Sequence, residues 1–194
     1  MSSVLRKVDS MSYSAELEHY KQHLMQAFHE KYDIWCEHVF LTWHWWIITL
    51  VFIVTILLWI FTFRRESIHR ALYVGAFVAV TTSFLDSIGI FFHLWEYRYD
   101  LIPFANNFLP WNFIVMPYFV VLFLKIMPHM NRFLKSFLYG IFSSFIALPL
   151  LKGLGYYQLV HWHYIFSFCV QFCIFLFAAT LSKGTRFERF GEEN

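Results

Sequence analysis

From Trp43 to Leu181 long apolar runs alternate with short polar links, and five of the runs approach the length of a membrane crossing. They cover about 44–63, 71–92, 109–127, 133–151 and 160–181. Each is near the roughly 20 residues that a hydrocarbon core of about 30 Å requires of a helix. Pro110 falls in the first turn of the third run, Pro117 predicts a kink within it, and Pro128 ends it. Ahead of the runs, Leu17, Tyr20, Leu24, Phe28 and Trp35 recur at helix-compatible intervals between residues 15 and 38, with Glu16 and Glu18 near the start. That pattern predicts an amphipathic helix lying on the membrane surface or over the bundle. Residues 1–14 carry no periodicity. The expected fold class is all-α: an integral membrane bundle of five transmembrane helices with an N-terminal amphipathic helix. A polar segment, 1–40, precedes the membrane domain, 41–182, and a basic tail, 183–194, follows it.

Composition agrees with the pattern. Of the 194 residues 59% are hydrophobic and only 14% charged, where a soluble domain has about 25% charged. The net charge of +2 comes from dispersed basic residues, which leaves no nucleic-acid footprint. The first apolar run begins beyond a polar stretch and is long enough to cross, so a cleaved signal peptide is not expected. Cys36, Cys169 and Cys173 are odd in number, and the latter two share a helix face within an apolar run, which suits packing better than a disulfide or a metal. His19 and His23 are spaced for joint metal binding on a helix but lack a third ligand. No metal and no cofactor is expected.

Basic residues orient the runs. Arg64, Arg65 and Arg70 follow the first; Lys125, Arg132 and Lys135 surround the link between the third and fourth; Lys183, Arg186 and Arg189 lie at the end. The other two links contain only Arg98 and Lys152. The positive-inside rule then puts the N-terminus outside and the C-terminus in the cytoplasm. Seven of the eight tryptophans fall at the outer boundary; Trp59 lies toward the inner one. Only the link from Leu94 to Phe108 is substantial, and its aromatics suit an interface.

Polar residues within the runs mark a place for chemistry. Thr82, Asp86, Gly89, His93 and Glu96 follow at steps of four, three, four and three, which on a continuous helix puts all five on one face. A carboxylate in a hydrophobic span usually faces a protein interior or a wet cavity. His163, Ser167 and Gln171 form a stripe on the fifth run, His44 opens the first, and Asn106, Asn107 and Asn112 lead into the third. Ser143 and Ser144 add hydroxyls to the fourth. In the orientation above these groups converge between the bundle centre and the outer surface. The candidate ligand-binding set is Asp86, His93, Glu96, Asn112, His163 and Gln171.

Three function classes fit. A lipid-like or prenyl ligand enters from the bilayer, its head group held by Asp86, Asn112 and His163. Alternatively the protein is a structural or accessory subunit, and Asp86 bonds to Ser83, Asn112 or Gln171 to set helix register. In the third class Asp86 or Glu96 is the catalytic proton donor of a membrane-embedded cyclase or transferase, with aromatic rings stabilising a cationic intermediate. A carrier lacks support because no inverted repeat is evident. Haem lacks paired histidines at matched depth, apart from His93 with His161 or His163. Phosphate-binding glycine loops, zinc-peptidase motifs and nucleophile elbows are absent from the sequence.

TWHWW at the start of the first run, TTSFLDSIG in the second, LWEYRYDLIP in the link and LPWNFIVMPYF in the third resemble a family of small five-span membrane proteins, themselves uncharacterised, of spore-forming Gram-positive bacteria. The resemblance covers about residues 40–180. It implies a bacterial plasma-membrane location and the same five-helix core, and it brings no activity with it. The family often carries an acid where Asn112 stands, so a two-carboxylate mechanism is in doubt here, while one acid with an amide partner fits.

Overall fold

The computed structural model describes residues 2–63, 65–104, 108–126 and 128–184, with side chains for 13–63, 68–104, 108–126 and 128–183. Asn106, Asn107 and the tail from residue 185 lie outside the described residues. In chain order the elements are α1 (Ser2–His38), α2 (Trp43–Thr62), α3 (Arg65–Phe91), β1 (Trp95–Tyr97), a π-helical segment Trp111–Val115 leading into α4 (Met116–Ile126), α5 (Arg132–Ile141), a second π segment Phe142–Ala147 leading into α6 (Leu148–Gly153), β2 (Tyr157–Leu159) and α7 (Tyr164–Gly184). Among the described residues four helical stretches are long and apolar enough to cross a membrane: Trp43–Thr62, Ile68–Phe91, Arg132–Gly153 and Tyr164–Lys183. The third apolar run forms a shorter helix, Trp111–Ile126.

The core lies between α3, α4, α5 and α7, where Val74, Val78, Val120, Tyr139, Phe175 and Ala178 are buried. Gly140 lets α5 and α7 approach: a Cβ there would lie 3.0 Å from the Phe168 ring. α2 is peripheral, burying only Ile48 and Thr55. It leans on the bundle through Trp59, whose indole donates to the Ile114 carbonyl at 3.2 Å, and through the Thr62–Tyr118 hydroxyl pair at 3.2 Å.

Both π segments precede a proline by two residues, in WNFIV-MP and FSSFIA-LP. A proline within a helix offers no N–H, and its ring collides with the carbonyl four residues back. The ladder loosens instead: Met116 N–H donates to Trp111 O and Leu148 N–H to Ser143 O, each five residues back. Asn112 O thereby loses its α-helical donor to Trp111, and its π-helical donor would be Pro117. The Thr82 hydroxyl reaches that carbonyl at 3.4 Å.

The helical reading of residues 92–96 is corrected. α3 ends at Phe91, and His93 adopts the left-handed conformation (φ 53°). Leu94 N–H donates to Gly89 O and His93 N–H to Ile90 O, both at 2.9 Å, the paired closure that ends many helices. α6 ends in the same way at Gly155 (φ 83°), with Tyr156 N–H on Leu151 O and Gly155 N–H on Lys152 O. After these reversals the chain enters β1 and β2, which pair antiparallel with Trp95 opposite Leu159, Glu96 opposite Gln158 and Tyr97 opposite Tyr157. The two strands cap one end of the bundle.

α1 begins at Ser2, ahead of the start expected at residue 15, and most of its described side chains are exposed, Tyr20 and Leu24 included. Only its end docks. Lys31 pairs with Asp100 at 3.0 Å, and the Trp35 indole donates to Asp100 O at 2.8 Å. Burial raises the Asp100 carboxyl above its ordinary value and Lys31 pulls it back down, leaving it raised. A raised acid contributes docking stability fully below its ordinary value of 3.8, and that contribution is lost as pH rises through the folded value. Lys31→Met removes the opposing charge. We expect the variant to loosen α1 at pH 7 but to match wild type near pH 3, as read by spin-label distances between α1 and the 99–104 loop. Equal distances in both proteins at pH 7 would show that the ion pair does not hold α1.

Candidate functional site

Asp86, on α3, is 5% exposed and sits under the capping sheet. Its Oδ1 accepts from the Trp95 indole at 2.8 Å and the Tyr97 hydroxyl at 2.9 Å. Its Oδ2 accepts from the Asn112 amide at 2.7 Å and the Phe108 backbone N–H at 3.3 Å. A carboxylate has about four acceptor sites, and neutral donors fill them all. The ionised form therefore satisfies every group, whereas a protonated acid would need the Tyr97 hydroxyl or the Asn112 amide to turn and accept, since the Trp95 indole and the Phe108 N–H can only donate.

The sheet supplies two of these donors through its period of two. Trp95 and Tyr97 point to one face of β1 and Glu96 to the other. Glu96 lies beside Arg98 at 3.8 Å, and Arg98 also bonds to Gln158. Gly89 makes the inward turn of Trp95 feasible, because the indole occupies the place of a side chain there: a Cβ on Gly89 would lie 2.0 Å from the ring. Burial first, then the Asp86 charge, pushes the Tyr97 phenol well above its ordinary range and raises Tyr157 across the sheet.

Beside Asp86 lies a cavity of about 280 Å³, lined by Asp86, Asn112, Ser167 and Gln171 among polar groups and by Trp95, Tyr97, Trp111, Tyr157 and Trp162 among aromatic ones. Trp162 donates to Ser167 Oγ at 2.9 Å and packs edge-on against Trp95 at 5.2 Å between ring centroids. Gln171 Oε1 is buried and has no hydrogen-bond partner among the described residues. Behind Trp111 and Met116, which line both spaces, runs an apolar groove of about 530 Å³ between α2 and the helices of residues 132–153. Each π segment contributes to the groove, through Trp111 and Val115 and through Phe142, Ser143 and Ala147.

Of the six expected ligand-binding residues, Asp86, Asn112 and Gln171 line one cavity. The other three lie elsewhere. His93 forms the helix-ending turn and is exposed, Glu96 lies on the opposite face of β1, and His163 is exposed just ahead of α7. None of the three lines the cavity. His44 is stacked on Tyr99 at 3.7 Å in an aromatic cluster with Tyr156. Ser83 and Ser144 hydroxyls are buried without a partner among the described residues. The His93 and His161 rings lie 6.2 Å apart, and His161 Nδ1 is 3.2 Å from the His93 carbonyl. Among the described residues no three His, Cys, Asp or Glu side chains converge as metal ligands would. Sequence reasoning missed the roles of Trp95, Tyr97, Tyr157 and Trp162. The signal was present: aromatics at 95, 97 and 99 alternate as in a strand. Comparison with family models, curated proteins and solved structures gives no match, so function has to be argued from the site itself.

Proposed function

We propose that this chain is a five-span protein of a bacterial plasma membrane, N-terminus outside, that holds a lipid-like molecule with its head in the Asp86 cavity and its chain in the adjoining groove. The observation that carries the reading is the shared wall: Trp111 and Met116 line both a polar cavity and an apolar groove. A small set of placed polar groups beside a larger apolar space is what an amphiphile requires. The helix Trp111–Ile126 is the fifth span in this reading, and α1 lies at the outer surface. Location rests on the family resemblance, and orientation on the basic links.

Acid catalysis is the weaker reading. Asp86 is ringed by donors and Glu96 faces away from the cavity, so neither is placed to deliver a proton there. The accessory-subunit reading draws support from the same saturation of Asp86, since a fully bonded carboxylate serves the fold without any ligand.

Native mass spectrometry with lipid analysis separates the readings. Gln171→Leu removes a buried acceptor that lacks a partner among the described residues, and Ala147→Trp fills the groove. We expect wild type to retain a specific amphiphile that both variants lose, with Gln171→Leu melting at or above the wild-type temperature because no donor is orphaned. A folded wild type carrying no specific molecule would end the binding reading in favour of the accessory one.

A further inference from the structure

The cavity is electrically one-sided. Asp86 places its carboxyl group on the wall, and among the described residues no Lys, Arg or His lines it. The ion pairs nearby, Lys31–Asp100 and Arg98–Glu96, sit in the outer loops and contain their own acids. A buried charge without a counter-charge is costly, and the four neutral donors only partly offset it. An anionic head group here would add repulsion; a cation would relieve it.

The walls point the same way. Trp95, Tyr97, Trp111, Tyr157 and Trp162 line this one small space. Aromatic walls attract ammonium groups through the ring quadrupole, and more strongly when water is excluded. Trp95 and Tyr97 also donate to Asp86, and donation to an anion polarises a ring system toward a more negative face. Gln171 Oε1 adds an unpartnered acceptor, suited to an N–H donor or to the polarised C–H groups around a quaternary nitrogen.

We infer that the cavity receives an ammonium group, with the Asp86 carboxylate as its counter-charge behind a screen of aromatic rings. This rests on the proposed binding role and names the head-group class for it. A lipid amine and a soluble amine share that chemistry.

The test uses the full chain, with nitrogen-15 in its tryptophans, in phosphatidylglycerol nanodiscs titrated with tetramethylammonium chloride. Tert-butanol serves as a neutral partner of similar shape and sodium chloride as the salt control. Saturable shifts of the Trp95 and Trp162 indole signals are expected with tetramethylammonium alone. Gln171→Lys, which carries its own ammonium into the cavity, is expected to abolish the response, whereas Gln171→Met keeps it. Should the lysine variant not fold, Trp162→Leu serves instead and raises the half-saturating concentration at least about threefold, the loss of one ring contact. Nanodiscs containing phosphatidylethanolamine distinguish the sources. The same shifts without added salt identify a lipid amine; shifts only with the added cation identify a soluble one. Equal shifts with tert-butanol, or none with either probe, overturn the inference. If a specific amphiphile still co-purifies in that event, the binding reading stands and only the head-group class falls.

Discussion

Asp86→Ala is expected to destabilise the protein by about 4 kcal/mol, the largest loss from any single side chain. The substitution strands four donors at once: the Trp95 indole, the Tyr97 hydroxyl, the Asn112 amide and the Phe108 N–H. Each unpaired buried donor costs about 1–3 kcal/mol, and the adjoining cavity admits water that recovers part of the sum. Asp86→Asn keeps the shape and one oxygen, so one pair of donors stays satisfied while the new amide meets the other; about 2 kcal/mol is expected. Denaturation in mild detergent, followed by tryptophan fluorescence, measures both. If the alanine variant lost less than about 1 kcal/mol, well short of one orphaned donor per partner, Asp86 would not be what ties the sheet to the bundle.

Gly89→Ala should cost nearly as much, about 3 kcal/mol, at the upper end of overpacking penalties. A methyl group at this position lies 2.0 Å from the Trp95 ring. The indole cannot simply swing away, because its N–H is bonded to Asp86 and its ring packs on Trp162. Moving it breaks the Asp86 bond and opens the wall of the cavity. The expected signature is coupling. Trp95→Phe alone is destabilising, but combined with Gly89→Ala it recovers a good part of the loss, since the smaller ring leaves room. Strictly additive losses in the double variant would mean that the two residues do not share the space.

These two positions also show how far the sequence could be read. Asp86 stands out because a carboxylate in an apolar run demands an explanation, and Asn112 and Gln171 follow from helical spacing and depth. Gly89 was placed on the right face for a reason that missed its use. Helical period carried the reading past Phe91 to His93 and Glu96, because the residues that follow Phe91 include no glycine or proline. His93 instead takes the left-handed turn itself. The matching turn at Gly155 had the usual marker, and the aromatics at 95, 97 and 99 carried a strand's alternation, yet three residues of pattern do not name the strand they pair with. The two strands lie about sixty residues apart, and neither is stable without the other.

What the sequence determined by itself is the set of apolar runs, of a length and composition that suggest a membrane protein, and the presence of polar residues near the Asp86 end of the second run. Those follow from transfer energies and local periodicity, which each segment carries within itself. The tertiary structure decided which polar residues meet. Pairing of β1 with β2 reverses Glu96 away from the site and turns Trp95 and Tyr97 onto Asp86. The prolines at 117 and 149 loosen two helices into π segments that border one groove. The prolines and the aromatic alternation are local, but which strand β1 pairs with, and that both π segments border one groove, depend on contacts between residues distant in the chain.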